Sequence, residues 1–298
     1  MTAPESLRAN RYGIWTTTLE SLPAPEAMEA VAALDAAGWG SLWYGEAYGR
    51  EAFTQAAMFL DAAPRMVVGT GIANIYGRGP MACAAAARNL EARFPGRFVL
   101  GLGVSHRPLV ERDRGETYGP PLQAMRAYLE RMAAAPYMAA DATMPTVVVA
   151  ALGPKMLELC AAETQGAHPY LVPPEHTAFA REHLGPDALL VVEQAVVVGV
   201  DAEEARRRAH EHLAFYTGLP NYRNNWLRLG FDESDFGRGG SERLAQALVA
   251  MGDVEAAVDR VHAHLDAGAD HVLVQAVGAT MGEVPTGQWS LLADALLR

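Results

Sequence analysis

The sequence predicts an α/β fold, a single (β/α)8 TIM barrel that occupies residues 1–298. Eight short apolar runs rich in β-branched residues alternate with segments of helical periodicity, as expected for a closed parallel sheet. Several predicted strands end in glycine or a polar side chain, which is typical of strands with a ligand site at their carboxyl ends. A doubly wound protein of two domains is the alternative, but no composition shift or Ser/Pro-rich linker marks a boundary.

The first half of the barrel is organised around one β-α-β unit, residues 66–106. Its helix, 81–94, lies between Pro80 and Pro95-Gly96, because proline suits a first helical turn and glycine a helix end. The strands of this unit are predicted at 66–74 and 97–106. The elements before it are predicted at 12–18, 25–37, 41–44 and 51–62, and those after it are a charged loop at 107–118 and a helix at 121–134.

The second half repeats this alternation with one long interruption. Its strands are predicted at 146–150, 167–172, 189–198 and 271–275. Its helices are predicted at 154–163, 174–184, 202–216, 241–251, 254–267 and 288–297. Residues 218–240, between the seventh and eighth strands, are aromatic, Gly-rich and irregular. Because plain connections in a compact fold are short, we interpret this segment as an insertion or lid.

The composition excludes several classes of function. A net charge of −11 does not suit a nucleic-acid surface, which needs clustered Lys and Arg. Both cysteines, Cys83 and Cys160, fall in predicted helices, so we expect free thiols and a reducing compartment. We see no secretory signal and no apolar run that could span a bilayer. We therefore expect a cytoplasmic protein that acts on a small molecule, without nucleic-acid or membrane partners.

Polar side chains at the ends of two neighbouring strands give the first functional clue. Asn74 ends the third strand, and Ser105 and His106 end the fourth. The preceding Gly101-Leu102-Gly103 is similar to the start of a dinucleotide fingerprint, but His106 stands at its third glycine and no clear helix follows. These glycines either let a flat ring approach the backbone or ease the bend of the strand.

A second candidate site is the stretch Ala150-Ala151-Leu152-Gly153-Pro154-Lys155, between the fifth strand and its helix. Free N–H groups at a helix N-terminus bind anions, and the helix dipole assists. Gly153 permits close approach, and Lys155 can add charge. The stretch is therefore either a phosphate site or an ordinary short connection.

Three side chains are candidates for proton transfer. Glu46 ends the second strand, where a carboxylate either handles a proton or is an ordinary surface acid. His106 and His168 both lie at strand ends, where a histidine is either catalytic or structural.

Metal and nucleophilic catalysis have no support in the sequence. Two pairs of histidines lie two residues apart on predicted helices and therefore point in different directions: His210 with His212, and His262 with His264. No Gly-x-Ser-x-Gly motif occurs, and both cysteines lie inside helices.

Taken together, the motifs resemble the luciferase-like monooxygenase superfamily, and within it the oxidoreductases that depend on the deazaflavin coenzyme F420. The resemblance covers nearly the whole chain. It rests on motifs that occur in order, namely Gly13-Ile14-Trp15, Leu42-Trp43-Tyr44-Gly45-Glu46, residues 68–74, residues 97–103, and residues 150–154 with 166–170. Many relatives place Asp-His where this chain has Glu46-Ala47. The sugar-phosphate dehydrogenases of this branch have a glutamate where this chain has His106, so sugar-phosphate oxidation is not the expected reaction.

The resemblance implies a barrel of the bacterial-luciferase type, with a cofactor across the carboxyl ends of the strands. It implies a non-prolyl cis peptide between Gly71 and Ile72, which backs the cofactor ring. It places the cofactor phosphate at residues 151–154. The expected cofactor-binding residues are Glu46, Gly71, Ile72, Asn74, Gly103, Val104, Ala151, Leu152, Gly153, Pro154 and His168.

The leading hypothesis is an oxidoreductase that transfers a hydride between F420 and a small organic substrate, with His106 and Glu46 as catalytic residues. We expect an apolar substrate pocket lined by Trp15, Tyr48, Tyr76 and Trp226. The resemblance also implies a two-fold homodimer. Two alternatives stay open: an FMN-dependent monooxygenase, since FMN has a similar ring and phosphate, and a flavin- or deazaflavin-binding protein without turnover.

Overall fold

Eight parallel strands close into a barrel in the computed structural model, which describes residues 1–140, 143–280 and 282–298. The strands in chain order are β1 (Tyr12–Trp15), β2 (Ser41–Tyr44), β3 (Val67–Thr70), β4 (Ala73–Asn74), β5 (Phe98–Gly103), β6 (Thr146–Val149), β7 (Gly166–Ala167), β8 (Leu189–Val198), β9 (Val249–Gly252) and β10 (His271–Ala276). The short β4 continues the third barrel strand after a break. β9 is additional to the barrel and pairs with residues 195–198 of β8.

Helices surround this sheet. In the described ranges they are α1 (Ala3–Ala9), α2 (Ala24–Ala37), α3 (Ala52–Ala62), α4 (Pro80–Arg93), α5 (Pro121–Ala133), α6 (Pro154–Glu163), α7 (Pro174–Leu184), α8 (Ala202–Tyr216), α9 (Pro220–Arg228), α10 (Glu242–Leu248), α11 (Val254–Asp266) and α12 (Thr286–Leu296). Five of them, α4, α5, α6, α7 and α9, begin at a proline, whose missing N–H costs nothing in the first helical turn. None of the described helices is long and apolar enough to cross a membrane.

The last strand closes the barrel. Leu273 of β10 lies opposite Gly13 of β1 on one side and opposite Glu193 of β8 on the other. The predicted (β/α)8 barrel is therefore confirmed. The inserted residues 218–240 do lie between the seventh and eighth barrel strands, but part of the segment is the helix α9.

Alternate residues of each strand point to opposite sides of the barrel wall. On the inner side, large side chains such as Trp15, Trp43 and Val191 pack against one another and fill the barrel. Ala3 and Leu7 of α1 belong to the same cluster, so this helix packs against the interior of the barrel. The carbonyl oxygen of Leu7 also lies 3.1 Å from Nδ1 of the buried His271.

The predicted loop at 107–118 contains a short π-helical turn, Leu109–Asp113, and two other predicted elements differ more from the structure. The predicted strand at 167–172 ends at Ala167, because Pro169 has no N–H for a ladder bond and Leu171 adopts a left-handed φ of 57°. The predicted helix at 241–251 ends at Leu248, and residues 249–252 form β9. Pairing with β8 overrides the helical pattern of this apolar run.

Candidate active site

Neighbouring strands bring the predicted site residues to the carboxyl end of the barrel. Pairing of Asn74 with Gly103 aligns the ends of the third and fourth barrel strands. Ala150 N donates to Leu102 O at 2.8 Å, and His168 N donates to Val149 O at 2.9 Å. The ends of the third to sixth barrel strands therefore form one continuous rim.

The third barrel strand is interrupted at Gly71–Ile72, where the peptide bond is cis. This confirms the conformation that the resemblance implied. The indole Nε1 of Trp15 donates to the carbonyl oxygen of Gly71 at 3.1 Å. The N–H of Gly71 donates to the carbonyl oxygen of Tyr44 at 2.7 Å, and that of Glu46 to Ile72 at 3.1 Å. The interrupted backbone is thus held by the first and second strands.

Gly103 makes room for this interruption. A Cβ atom at position 103 would lie 2.4 Å from Cγ1 of Ile72, which is closer than real Cβ contacts. The glycine therefore lets Ile72 pack against the fourth barrel strand, and the following Val104 is half-buried at the rim. The sequence left two interpretations of these glycines, the close approach of another group or an easier bend of the strand. At Gly103 the structure shows close approach, and the approaching group is the Ile72 side chain.

Glu46 is held in a network of ion pairs and hydrogen bonds. Its carboxylate forms an ion pair with the guanidinium of Arg78, and the Glu46 and Arg78 side chains are only 7% and 12% exposed. One carboxylate oxygen, Oε2, also accepts from Asn74 N at 2.9 Å. Arg78 contacts Glu51 as well, at 3.0 Å. The structure therefore shows that Glu46 links the ends of the second and third strands, and the catalytic role expected from sequence stays a prediction.

Asn74 and His168 each present an unpartnered polar atom. Both side chains are buried, and neither Nδ2 of Asn74 nor Nε2 of His168 has a hydrogen-bond partner among the described residues. His168 Nδ1 lies 2.9 Å from the carbonyl oxygen of Val191 and donates to it, so Nε2 carries the lone pair. Burial lowers the pKa of His168 to about 4, which keeps the ring neutral. Both residues could bind a polar group of a ligand.

The loop before α6 carries free backbone donors. The N–H groups of Ala151, Leu152 and Gly153 have no protein partner within the described part of the chain. The carbonyl oxygen of Leu152 accepts from His176 Nε2 at 2.9 Å and from Arg228 Nη2 at 3.2 Å. These two bonds fix the orientation of the loop, and Pro154 begins α6 directly after it. Residues 151–154 thus have the donors that an anion site needs.

His106 lies at the rim under the insertion. Its ring centroid is 6.1 Å from that of Phe215 and 5.9 Å from that of Tyr222, which belongs to α9. Burial lowers the pKa of His106 from its ordinary value, so the neutral imidazole predominates at pH 7. His106 therefore lies between an aromatic residue of α8 and one of the insertion.

The four expected pocket residues do not lie in one pocket. Trp15 and the half-buried Tyr76 lie near the break in the third strand, with Tyr76 stacked on Tyr118 at 5.8 Å. Tyr48 is 77% exposed on a surface loop. Trp226 is 0% exposed, because α9 turns it into the apolar cluster beneath the insertion. Tyr48 and Trp226 are therefore corrected: the first faces solvent and the second is a core residue.

Glu193 is a site residue that the sequence reasoning missed. It faces the barrel interior on β8 and is fully buried. Its Oε2 accepts from Leu171 N at 2.8 Å, and Oε1 has no described partner. Burial raises the pKa of Glu193 to about 8, so the acid is largely neutral at pH 7. A single acid inside the apolar run Val191-Val192-Glu193-Gln194-Ala195 was the available signal.

Metal ligands do not cluster in the described residues, where no group of three His, Cys, Asp or Glu side chains could hold an ion. The polar atoms of the rim are instead single donors and acceptors spread over several strands. They suit an extended organic ligand with both a ring and an anionic group.

Comparison with known proteins gives a consistent family. The family model described as luciferase-like monooxygenase matches residues 9–271. A putative coenzyme F420-dependent oxidoreductase of Mycobacterium tuberculosis is 36% identical over 108 residues, which cover 36% of this chain and 31% of that protein. The match thus spans less than a third of that relative's length.

Two solved structures share the fold. The coenzyme F420-dependent tetrahydromethanopterin reductase of Methanopyrus kandleri has a TM-score of 0.73 at 16% identity, covering 95% of this chain and 97% of that one. A type II Baeyer–Villiger monooxygenase of Pseudomonas putida in complex with FMN has a TM-score of 0.69 at 13% identity, covering 95% and 96%. At these identities the likeness establishes the fold alone.

The Glu46–Arg78 pair predicts a measurable loss of stability. Glu46→Gln leaves the buried guanidinium with Glu51 as its one remaining carboxylate partner among the described residues, so we expect the free energy of unfolding in urea to fall by about 3 kcal/mol. A matched control is Asp61→Asn, which removes the pair with Arg93, whose side chains are 47% and 63% exposed. That change should cost below about 1 kcal/mol. Equal losses in the two variants would show that burial does not distinguish the pairs.

Proposed function

This chain belongs to the luciferase-like monooxygenase family, and from that premise we propose that it is an oxidoreductase that transfers a hydride between coenzyme F420 and a small organic substrate. The observation that carries the proposal lies on one rim of the barrel: an interrupted strand at Gly71–Ile72 beside a loop with free N–H groups at 151–153. The printed name of the mycobacterial relative supports F420. The FMN complex of a structural neighbour makes FMN the competing cofactor.

The residues of the rim fit such a cofactor, since F420 and FMN both have a tricyclic ring and a phosphate ester. We assign the phosphate to residues 151–154, where free N–H groups and the positive end of α6 favour an anion. We assign one face of the ring to the backbone at Gly71–Ile72. The unpartnered polar atoms of Asn74 and His168 are its candidate hydrogen-bonding partners.

In this proposal the cofactor supplies the redox chemistry, and the chain binds it and handles protons. His106 stands at the rim as the proton donor to the substrate. Because burial lowers its pKa, the protonated fraction of His106 is small at pH 7 and grows as the pH falls. Glu46, the second proposed catalytic residue, also fixes the backbone at the ends of the second and third strands.

Cofactor preference is the first test. In a fluorescence titration we expect the purified protein to bind F420 more tightly than FMN. Tighter binding of FMN would favour the monooxygenase alternative. If the protein bound neither F420 nor FMN, the proposal would be contradicted. Binding of a cofactor without hydride exchange would favour a flavin- or deazaflavin-binding protein without turnover.

His106→Ala tests the proton donor. Loss of a general acid should lower turnover at least about tenfold while cofactor affinity changes by only a few-fold. Reduction of substrate by the wild type should accelerate as the pH is lowered from 8 to 6, and the variant should lose this dependence. The exposed His262 provides the control variant His262→Ala, which should behave as wild type. If His106→Ala loses cofactor affinity but keeps its turnover at saturation, the residue only positions the ligand.

We also place the protein in the cytoplasm. Cys83 and Cys160 are both buried free thiols. Two cysteines without a disulfide suit a reducing compartment, which supports this placement.

We propose a two-fold homodimer as the assembly. Apolar side chains are exposed on the outer helices, for example Met81 on α4 and Leu291 on α12, and a contact between copies would cover such groups. Light scattering at micromolar concentration should give about twice the chain mass of 31.9 kDa. A mass equal to that of one chain would contradict this assembly.

A further inference from the structure

We propose that the insertion completes the anion site: Arg228 and Asn225 of α9 recognise the phosphate ester of the cofactor together with the loop 151–153. This inference rests on the proposed function and goes beyond it, because it gives the insertion a role in ligand recognition. Nothing in the sequence pattern of residues 218–240 indicated such a role.

The guanidinium of Arg228 lies directly against the loop. Its Nη2 donates to the carbonyl oxygen of Leu152 at 3.2 Å and to Oδ1 of Asn225 at 3.0 Å. A Cβ atom placed on Gly153 would be 3.6 Å from the same Nη2. The cation is therefore beside Gly153, the residue before α6, where the free N–H groups are.

The positive charge of Arg228 beside the loop 151–153 is not balanced by a carboxylate of the described residues. Arg228 has no carboxylate within 4.0 Å among the described residues, whereas Arg223 of the same helix pairs with Glu233. The N-terminus of α6 carries a partial positive charge, which repels a guanidinium. Arg228 is exposed, and partial desolvation at the loop lowers the pKa of its guanidinium. A phosphate between the cation and the N–H groups would remove this repulsion.

Asn225 provides an independent observation. Its side chain is 1% exposed, and its amide lies at the same corner because Oδ1 accepts from Arg228. The other half of the amide, Nδ2, has no partner in the described part of the chain. A buried N–H group without an acceptor costs stability, and an oxygen atom of a bound phosphate would satisfy it.

The chemistry recognised is a phosphate ester, which FMN offers as a monoester and F420 as a diester. Arginine suits both, because its planar fork binds phosphate oxygens through charge-assisted hydrogen bonds. Riboflavin has the ring and the ribityl chain of FMN without the phosphate. It therefore separates recognition of the phosphate from recognition of the ring.

The test is a fluorescence titration of wild type and Arg228→Gln with FMN, F420 and riboflavin. We expect the variant to raise the Kd for FMN and for F420 at least about tenfold, as for a lost charged hydrogen bond. The Kd for riboflavin should change by less than about twofold, since no phosphate contact is lost. Arg223→Gln on the same helix is the matched control and should bind all three as wild type does.

A second variant tests the same corner without removing the cation. Asn225→Asp keeps the shape of the side chain but places a carboxylate beside Arg228, so it should weaken FMN and F420 and spare riboflavin. Unchanged affinity for FMN and F420 in either variant, or an equal loss of riboflavin, would overturn the inference while the proposed function stands. If the wild type bound neither FMN nor F420, both this inference and the proposed function would be overturned.

Discussion

The indole N–H of Trp15 donates to the carbonyl oxygen of Gly71, and this bond fixes the backbone where the third barrel strand is interrupted. The first strand thereby positions the third. The N–H of Glu46, after the second strand, donates to the carbonyl oxygen of Ile72. Beyond the third strand, Gly103 leaves the space that the Ile72 side chain fills. Three neighbouring strands thus determine one backbone segment, and the rim of the site is built around it.

The charged groups near this segment are neutralised within the protein. Arg78 balances Glu46, while burial keeps His168 and Glu193 in their uncharged forms near pH 7. In the proposed function, the single unpartnered donors and acceptors of the rim would meet an uncharged ring, and the loop before α6 would hold the anion separately.

The sequence was sufficient for the barrel because each strand is a short apolar run with clear ends. It was not sufficient where tertiary pairing decides the structure, as in the strand at 249–252. The N-terminal helix α1 was missed although Thr2 and Glu5 form a capping box that was visible in the sequence.

In the site, the backbone features followed from the motifs, but the roles of side chains did not. Glu46 was recognised as a strand-end acid, yet its partner Arg78 is 32 residues away in the chain. Arg228 is 76 residues away from Leu152, whose carbonyl oxygen it contacts, so no local pattern relates the insertion to the loop. Trp226 belongs to the same helix, but it lies on the side that packs against the apolar cluster. The packing of α9, and not the local sequence, determines that side.

The helix α1 limits how a ligand can enter the barrel. Ala3 and Leu7 pack into the same cluster as Val67, Val99 and Leu189, and thereby close the amino end of the barrel. A ligand of the rim therefore reaches it from the opposite, carboxyl end of the strands. In the proposed function the cofactor and its substrate would then share this one side of the barrel.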